Sequence, residues 1–319
     1  MELLKKLRKK RVGFWAGDQN NFQFLDPLIE DLKKRYRIKK NLFSDDPTAL
    51  GRQMKKQDLC WFEWGNGPIV AASQQKKTRP IINRIHRYEL YSESPDHINW
   101  EHVDKLLFSS PSMHLKFESK FSDYSNQVDH ATVPIGVDTT LFKYAEKTIT
   151  KQLIYVGRIH PHKNPSLLLQ IFSKLLKKDS EYMLTIIGGF ADELFEEYYN
   201  DQVEKLGIKD NISFIGQLSQ EEIVPYLQDA DFFLITSIIE GLSQASLEAM
   251  SCGVRPVIFN YYGAEYGYPP TCIFNTVDDA VQLILQPKIT RIECRKIIEE
   301  GFTLEQSRKK IAEIIEELL

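Results

Sequence analysis

Asp231-Phe-Phe-Leu-Ile235, followed by Ser237-Ile-Ile-Glu-Gly-Leu-Ser-Gln-Ala-Ser-Leu-Glu-Ala-Met-Ser-Cys-Gly253, decides the fold. The first stretch is a short apolar run, as expected of a strand covered on both faces. A polar turn follows. Ser243 then stands where it caps a helix from Gln244 to about Ser251, which Gly253 ends. Gly241 permits a tight turn and close approach of a ligand. The start of a helix suits phosphate, because its first N–H groups are unpaired and carry a partial positive charge. Two carboxylates flank that start, Glu240 in the loop and Glu248 a little over one turn inside the helix. Vicinal hydroxyls donate well to a carboxylate, so one acid suits a sugar ring and the other a ribose diol. Spacing alone would equally describe solvent-facing acids in a chain with 44 acidic residues. The strand–turn–helix setting favours the ligand reading.

The same alternation of apolar strand and amphipathic helix runs on either side, which predicts α/β architecture with largely parallel sheets. Strands are expected at Val12–Ala16, Asp58–Phe62, Pro80–Ile85 and Val103–Ser109 in the first half. Leu153–Val156, Met183–Ile187, Ile212–Ile215 and Arg255–Phe259 join Asp231–Ile235 in the second. Helices are expected around Pro27–Lys34, from Pro111, and from Pro165, where Asn164 is placed to cap and Leu168, Ile171, Phe172, Leu175 and Leu176 repeat at helical spacing. Val133–Phe142 is turn-rich and Lys143–Thr150 polar, so the boundary is set between domains 1–142 and 143–319, with the last helix packing back on the first domain. In open α/β sheets, ligands bind beyond the carboxyl ends of strands, which directs attention to the loops just after them.

Composition excludes several classes. At 319 residues, 42% hydrophobic and 27% charged, the chain has the make-up of a soluble globular protein with two ordinary domains. No apolar run reaches the ~18–20 residues of a membrane span, and Met1–Arg11 lacks the apolar core of a signal peptide. Cys60, Cys252, Cys272 and Cys294 are scattered, forming neither a disulfide framework nor a zinc knuckle. A reduced, cytoplasmic protein is expected. The net charge of −3 hides an asymmetry: residues 1–150 carry 25 basic against 19 acidic residues, and 151–319 carry 16 against 25. The basic side chains cluster at Lys5–Arg11 and at Lys33–Lys40. Such runs are ordinarily solvated surface, though they would also suit peripheral contact with the inner face of an anionic membrane.

A second chemical segment is Val156-Gly-Arg-Ile-His-Pro-His-Lys-Asn164. Gly157 ends a strand, and Arg158 and Lys163 flank the next helix start, where two cations can neutralise a leaving diphosphate without a metal. His160 and His162 lack partners at metal-ligand spacing and read as loop histidines.

These residues bring a family into view. "YVGRIHPHKN" (Tyr155–Asn164), "LTIIGG" (Leu184–Gly189), "ISFIGQLSQEEIVPYLQDADFFL" (Ile212–Leu234) and "EGLSQASLEAMSCGVRPVI" (Glu240–Ile258) resemble, in order and spacing, successive blocks of the retaining glycosyltransferases of family four, also called group 1. The resemblance is strong over about 151–260 and weaker before. It implies the GT-B fold, two Rossmann-like domains facing across a cleft. It also implies that Arg158 and Lys163 contact the donor diphosphate, that Glu240 contacts the donor sugar and that Glu248 contacts the ribose. The backbone of Leu242, Ser243 and Gln244, next to Gly241, would bind phosphate, and the loop at Gly216 would hold the base. In the first half, "FWAGDQNNF" resembles the family's glycine-bearing loop, with Gly17 matched but Ala16 and Asp18 where a second glycine is usual. "INRIHRYEL" places His86 like the family histidine near the donor sugar, and "VPIGVDTTLF" has Ile135 where Asn is usual. Glu63, Trp64, Asn66, Arg87, Tyr88 and Glu89 are expected in loops after strands, where they would suit a sugar acceptor; Trp61 and Trp64 read equally well as packing residues.

The resemblance therefore implies retaining transfer from a nucleotide diphosphate sugar to a glycan, lipid-linked or other hydroxyl acceptor, in cell-surface polysaccharide or glycoconjugate synthesis. No cofactor, metal or nucleic acid is expected to take part, and no D-x-D motif sits at a strand end. Positioning and charge stabilisation of the leaving group would carry the rate. Two rivals share the fold: a nucleotide-sugar epimerase, which would convert donor without acceptor, and a non-catalytic partner subunit. A nicotinamide oxidoreductase would need G-x-G-x-x-G after a first strand, and none is present.

Overall fold

A computed structural model describes residues 9–17, 22, 25–43 and 46–319. Lys5, Lys6 and Arg8 of the first basic run, and positions 18–21 of the polar loop after Gly17, lie outside the described residues. The chain divides into two compact units, Met1–Pro134 with Ser307–Leu319, and Ile135–Gln306.

In the first unit, β1 (Arg11–Ala16), α1 (Asp26–Leu32), β2 (Arg37–Leu42), α2 (Pro47–Met54), β3 (Leu59–Glu63), α3 (Gly67–Ser73) and β4 (Ile81–Ile85) follow in order. β5 (Lys105–Phe108), α4 (Pro111–Lys120), α5 (Ser122–Ser125) and β6 (His130–Thr132) complete the run. All six strands are parallel, in the order β2-β1-β3-β4-β5-β6. Both faces are covered, as a parallel sheet requires. Val12 and Phe14 pack with Trp61 on one side, while Trp15, Cys60 and Phe62 pack on the other.

The second unit begins with β7 (Gln152–Val156), α6 (Pro165–Leu176), β8 (Met183–Ile187), α7 (Glu193–Leu206), β9 (Ile212–Gly216) and α8 (Gln220–Asp229). It continues with β10 (Phe232–Ile235), α9 (Gln244–Ser251), β11 (Arg255–Phe259), β12 (Ile273–Phe274), α10 (Val277–Leu285) and α11 (Arg291–Gly301). Its strands are again parallel, ordered β12-β11-β10-β7-β8-β9. Alternate residues feed opposite cores: Leu153 and Tyr155 face one, Ile154 the other, and Phe232 and Phe233 divide the same way. Each such fully buried aromatic stabilises the unit by roughly 1.5–3 kcal/mol.

The division falls at Pro134/Ile135 rather than at 142/143. Val137 bridges to Thr303, and Val137 and Phe142 are buried in the second core, so the turn-rich connection belongs to that unit. α12 (Leu304–Leu318) lays Ile311 and Ile315 against Val12, Phe14 and Ile29 of the first unit. Arg308 donates to Pro27 O at 2.8 Å, Lys310 donates to Thr132 O at 2.8 Å, and Arg35 pairs with Glu316.

β2 is an element that the sequence reading took for a basic surface run. Its Arg37, Lys39 and Lys40 are exposed, as suits an edge strand kept from pairing with other chains. Several of these cations have local partners, Lys33 with Glu30, Lys34 with Asp31 and Lys40 with Asp26.

Candidate functional site

In the second sheet β7 continues to β8 and β9 on one side, while β10 lies on the other. The strand order reverses between β7 and β10, and that switch point is where an open α/β sheet leaves a crevice beyond its carboxyl ends. The loops after these two strands are pinned together there. Ile238 N donates to His162 O at 2.9 Å, and Thr236 Oγ1 donates to Lys163 O at 2.8 Å. Residues 77 apart in sequence thereby meet: Lys163 Nζ forms an ion pair with Glu240 Oε1, and Ser237 Oγ donates to the same oxygen at 2.9 Å.

Lys163 sits where Asn164 caps α6. Asn164 has φ +50, its side chain accepts from Leu167 N at 3.4 Å, and Pro165 takes the first turn. Arg158 is exposed and donates to Ala191 O at 3.0 Å. Gly157 has φ +153, outside the range that suits side chains. Gly188, at the end of β8, was not singled out from the sequence. Its φ is +144, and a Cβ there would lie 2.1 Å from Gly157 O, so the two strand ends approach this closely only with glycine at 188. Gly216 closes β9 with φ +84 and open space around it.

α9 spans Gln244–Ser251, as the sequence predicts. Ser243 occupies the cap position, but its side chain makes no cap bond. Gly253, φ +87, ends the helix with Val254 N bonded to Ala249 O and Gly253 N to Met250 O, a Schellman closure. Glu248 is 5% exposed, and burial pushes its carboxyl up to about 7, against the hydrogen bonds from Gln244 (3.4 Å) and Gln220 (2.8 Å). Gln244 also donates to Gly136 O at 2.9 Å. The sequence reading missed Gln220, the first residue of α8, because it reaches Glu248 only across packed helices. It also missed Tyr155, Tyr261 and Tyr268, three buried phenols whose pKa values burial raises first and the Glu240 charge raises further.

The remaining predicted residues lie in the first unit. Gly17 is exposed immediately after β1, at that sheet's own switch point between β1 and β3. His86 follows β4, and its Nε2 lies 2.5 Å from Glu63 Oε1. Glu63 is the fully buried last residue of β3. It also accepts from Arg84 Nε at 2.8 Å and Trp61 Nε1 at 2.7 Å. Burial alone would raise its pKa, yet Arg84 and His86 outweigh that and hold it below the ordinary carboxylate value. The expectation that Glu63 and Glu89 face an acceptor is therefore corrected. Glu63 anchors a buried charge cluster, and Glu89, 1% exposed, accepts from Gly65 N and His86 N. Trp64 keeps φ +76, a strained value for a bulky residue, with its ring 4.1 Å from that of His86 and 5.6 Å from that of the half-exposed Tyr88.

Two parallel six-stranded sheets, the second bearing paired acids and cations at its switch point, define a GT-B architecture. Residues 137–266 match the family described as Glycosyl transferases group 1. D-inositol 3-phosphate glycosyltransferase of Corynebacterium glutamicum is 23% identical over 77% of this chain and 54% of its own length. The tRNA-queuosine alpha-mannosyltransferase of Drosophila melanogaster is 33% identical over 55% of this chain and 48% of its own. The chain thus spans about half the length of these curated relatives. Anabaena HepE in complex with UDP superposes with TM-score 0.80 at 14% identity, over 97% of this chain and all of that one. Sucrose-phosphate synthase from Thermosynechococcus elongatus gives 0.77 at 14%, over 97% and 99%. These likenesses show the fold. Among the described residues no helix is long and apolar enough to cross a membrane, and all four cysteines are buried and free.

Proposed function

We propose that the chain is a retaining glycosyltransferase that binds a nucleoside diphosphate sugar at the β7/β10 switch point and passes the sugar to a hydroxyl acceptor. The observation that supports it most is the meeting of Lys163 with Glu240 beside the start of α9, with Glu248 buried inside the same helix. Lys163 and Arg158 would neutralise the departing diphosphate, together with the N–H groups of Leu242, Ser243 and Gln244. Glu240, released from Lys163 by the incoming phosphate, would accept from the sugar hydroxyls. Glu248 would accept from the ribose diol, and Gly157 and Gly216 would give the donor room at the strand ends. The reaction proposed is same-face attack with the leaving phosphate helping to take the acceptor's proton, and it needs no metal and no cofactor.

Names of similar proteins support a nucleotide-sugar donor: one structure holds UDP-glucose, and one relative is a GDP-mannose:cellobiosyl-diphosphopolyprenol alpha-mannosyltransferase of Komagataeibacter xylinus, 29% identical over 40% of this chain. Their acceptors differ, and the shared family stretch lies in the second unit. A glycan or lipid-linked hydroxyl, and no nucleic acid, is our proposal for this chain. Peripheral contact with an anionic membrane rests on the charge asymmetry alone. The pairing of Lys33, Lys34 and Lys40 with carboxylates weakens it, and salt-insensitive flotation with anionic liposomes would end it. Incubation with a panel of nucleoside diphosphate sugars, with and without acceptor, tests the main reading. Acceptor-dependent loss of donor with retained anomeric configuration supports it, and acceptor-free conversion to an epimeric donor overturns it.

A further inference from the structure

α4 carries His114 and Glu118 four residues apart, so both project from one face of the helix. β6, the edge strand beside β5, begins at His130. The three side chains meet. His114 Nε2 lies 3.2 Å from Glu118 Oε1, and His130 Nε2 lies 4.0 Å from the same oxygen. The two imidazoles touch edge to face with centroids 4.2 Å apart, and the His114 ring is stacked on Phe108. His130 Nδ1 is 3.2 Å from Val128 O. A carbonyl can only accept, so Nδ1 carries a proton, and Nε2 is the nitrogen left to face Glu118. This is how an outer carbonyl orients a metal-bound histidine. His114 Nε2 is buried without a hydrogen bond to satisfy it. Two imidazoles and a carboxylate whose ligand atoms converge make a set that can hold a cation.

We propose that His114, Glu118 and His130 bind one divalent first-row transition ion of the zinc class, leaving a position open to water. Imidazole nitrogen selects such ions over magnesium and calcium, which prefer all-oxygen sites. Bonds of about 2.1 Å in tetrahedral geometry set ligand atoms ~3.4 Å apart. His114 and Glu118 already stand at 3.2 Å, and all three ligand atoms lie within 4.8 Å of one another. A small turn of Glu118, whose side chain is 43% exposed, would draw in His130. The ion would tie α4 to the edge strand β6. None of the three residues is among those assigned to the donor, so the site stands independently of the transferase reading.

The test uses the full chain freed of metal with a chelator. Cobalt(II) is titrated and followed by its visible absorption, and zinc affinity is measured against a chromogenic chelator. We expect one ion per chain at micromolar affinity or tighter, and a zinc-dependent rise in thermal midpoint that millimolar magnesium does not reproduce. Loss of an outer partner of a ligand costs ~10–100-fold in affinity, so the isosteric E118Q should lose at least that and the H114Q/H130Q double variant more, while circular dichroism confirms their fold. H160Q/H162Q, altering a histidine pair stacked elsewhere in the chain, should bind as the parent does. No stoichiometric ion on the parent chain, or equal affinity in H114Q/H130Q, overturns the proposal.

Discussion

Glu248→Gln separates the cost of burying a carboxylate from its use. Burial pushes the Glu248 pKa from 4.5 up to about 7. Below pH 4.5 the group is protonated in folded and unfolded chains alike and contributes nothing. As pH rises toward 7 the unfolded chain ionises first, so stability is lost across that window. The full penalty above pH 7 is about 3 kcal/mol, from ~1.4 kcal/mol per pKa unit. Glutamine keeps an oxygen for Gln220 and Gln244 but cannot ionise. The variant should match the parent at pH 4.5 and exceed it by up to about 3 kcal/mol at pH 8. For a domain of this size that is roughly 6–12 °C in thermal midpoint. If the acid accepts from a ribose diol, binding favours its ionised form. The parent should then release protons on binding nucleoside diphosphate at pH 7, and the variant should bind more weakly with no release. Calorimetry in buffers of different ionisation enthalpy reads that. An unchanged difference in midpoint from pH 4.5 to pH 8 refutes the burial argument, and undiminished nucleotide affinity refutes the assigned use.

Gly188→Ala should cost roughly 2–4 kcal/mol, because it adds a strained backbone conformation to a clash with Gly157 O. Gly216→Ala, with the same kind of φ but open space, should cost only about 1–2 kcal/mol; equal losses in denaturant titrations would discount the clash. Glu63→Gln removes the carboxylate charge that faces the buried Arg84 and should destabilise the first unit by about 3–5 kcal/mol. A loss below about 1 kcal/mol would mean that Arg84 is compensated elsewhere.

The second unit was legible because its signals are local. The bounds of β8, β11 and α9 follow from short apolar runs and from cap and stop residues, and Asn164-Pro165 marks the start of α6 on sequence alone. What was missed depends on pairing between distant segments. Arg37–Leu42 reads as a charged run until β1 supplies its partner. Glu63 reads as a loop acid until β4 sets Arg84 opposite it. The His114–Glu118 spacing is visible along one helix, but His130 joins it only once β6 pairs with β5. Gln220 reaches Glu248 by the same kind of long-range packing. Gly188 went unmarked because the Gly157 carbonyl that excludes a side chain there comes from the neighbouring strand.

The central claim is that the β7/β10 loops hold a nucleoside diphosphate sugar through Arg158, Lys163 and Glu240. Calorimetric binding of UDP, GDP and their sugar conjugates to the parent chain and to R158A, K163A and E240Q tests it most directly. The account predicts saturable binding of at least one by the parent. R158A and K163A should each bind the diphosphate at least ~10-fold more weakly, in line with a lost charge-assisted hydrogen bond, while E240Q should lose affinity for the sugar conjugate but not for the bare diphosphate. Equal diphosphate affinity in the parent, R158A and K163A, or no binding of any nucleotide by the parent, would contradict it.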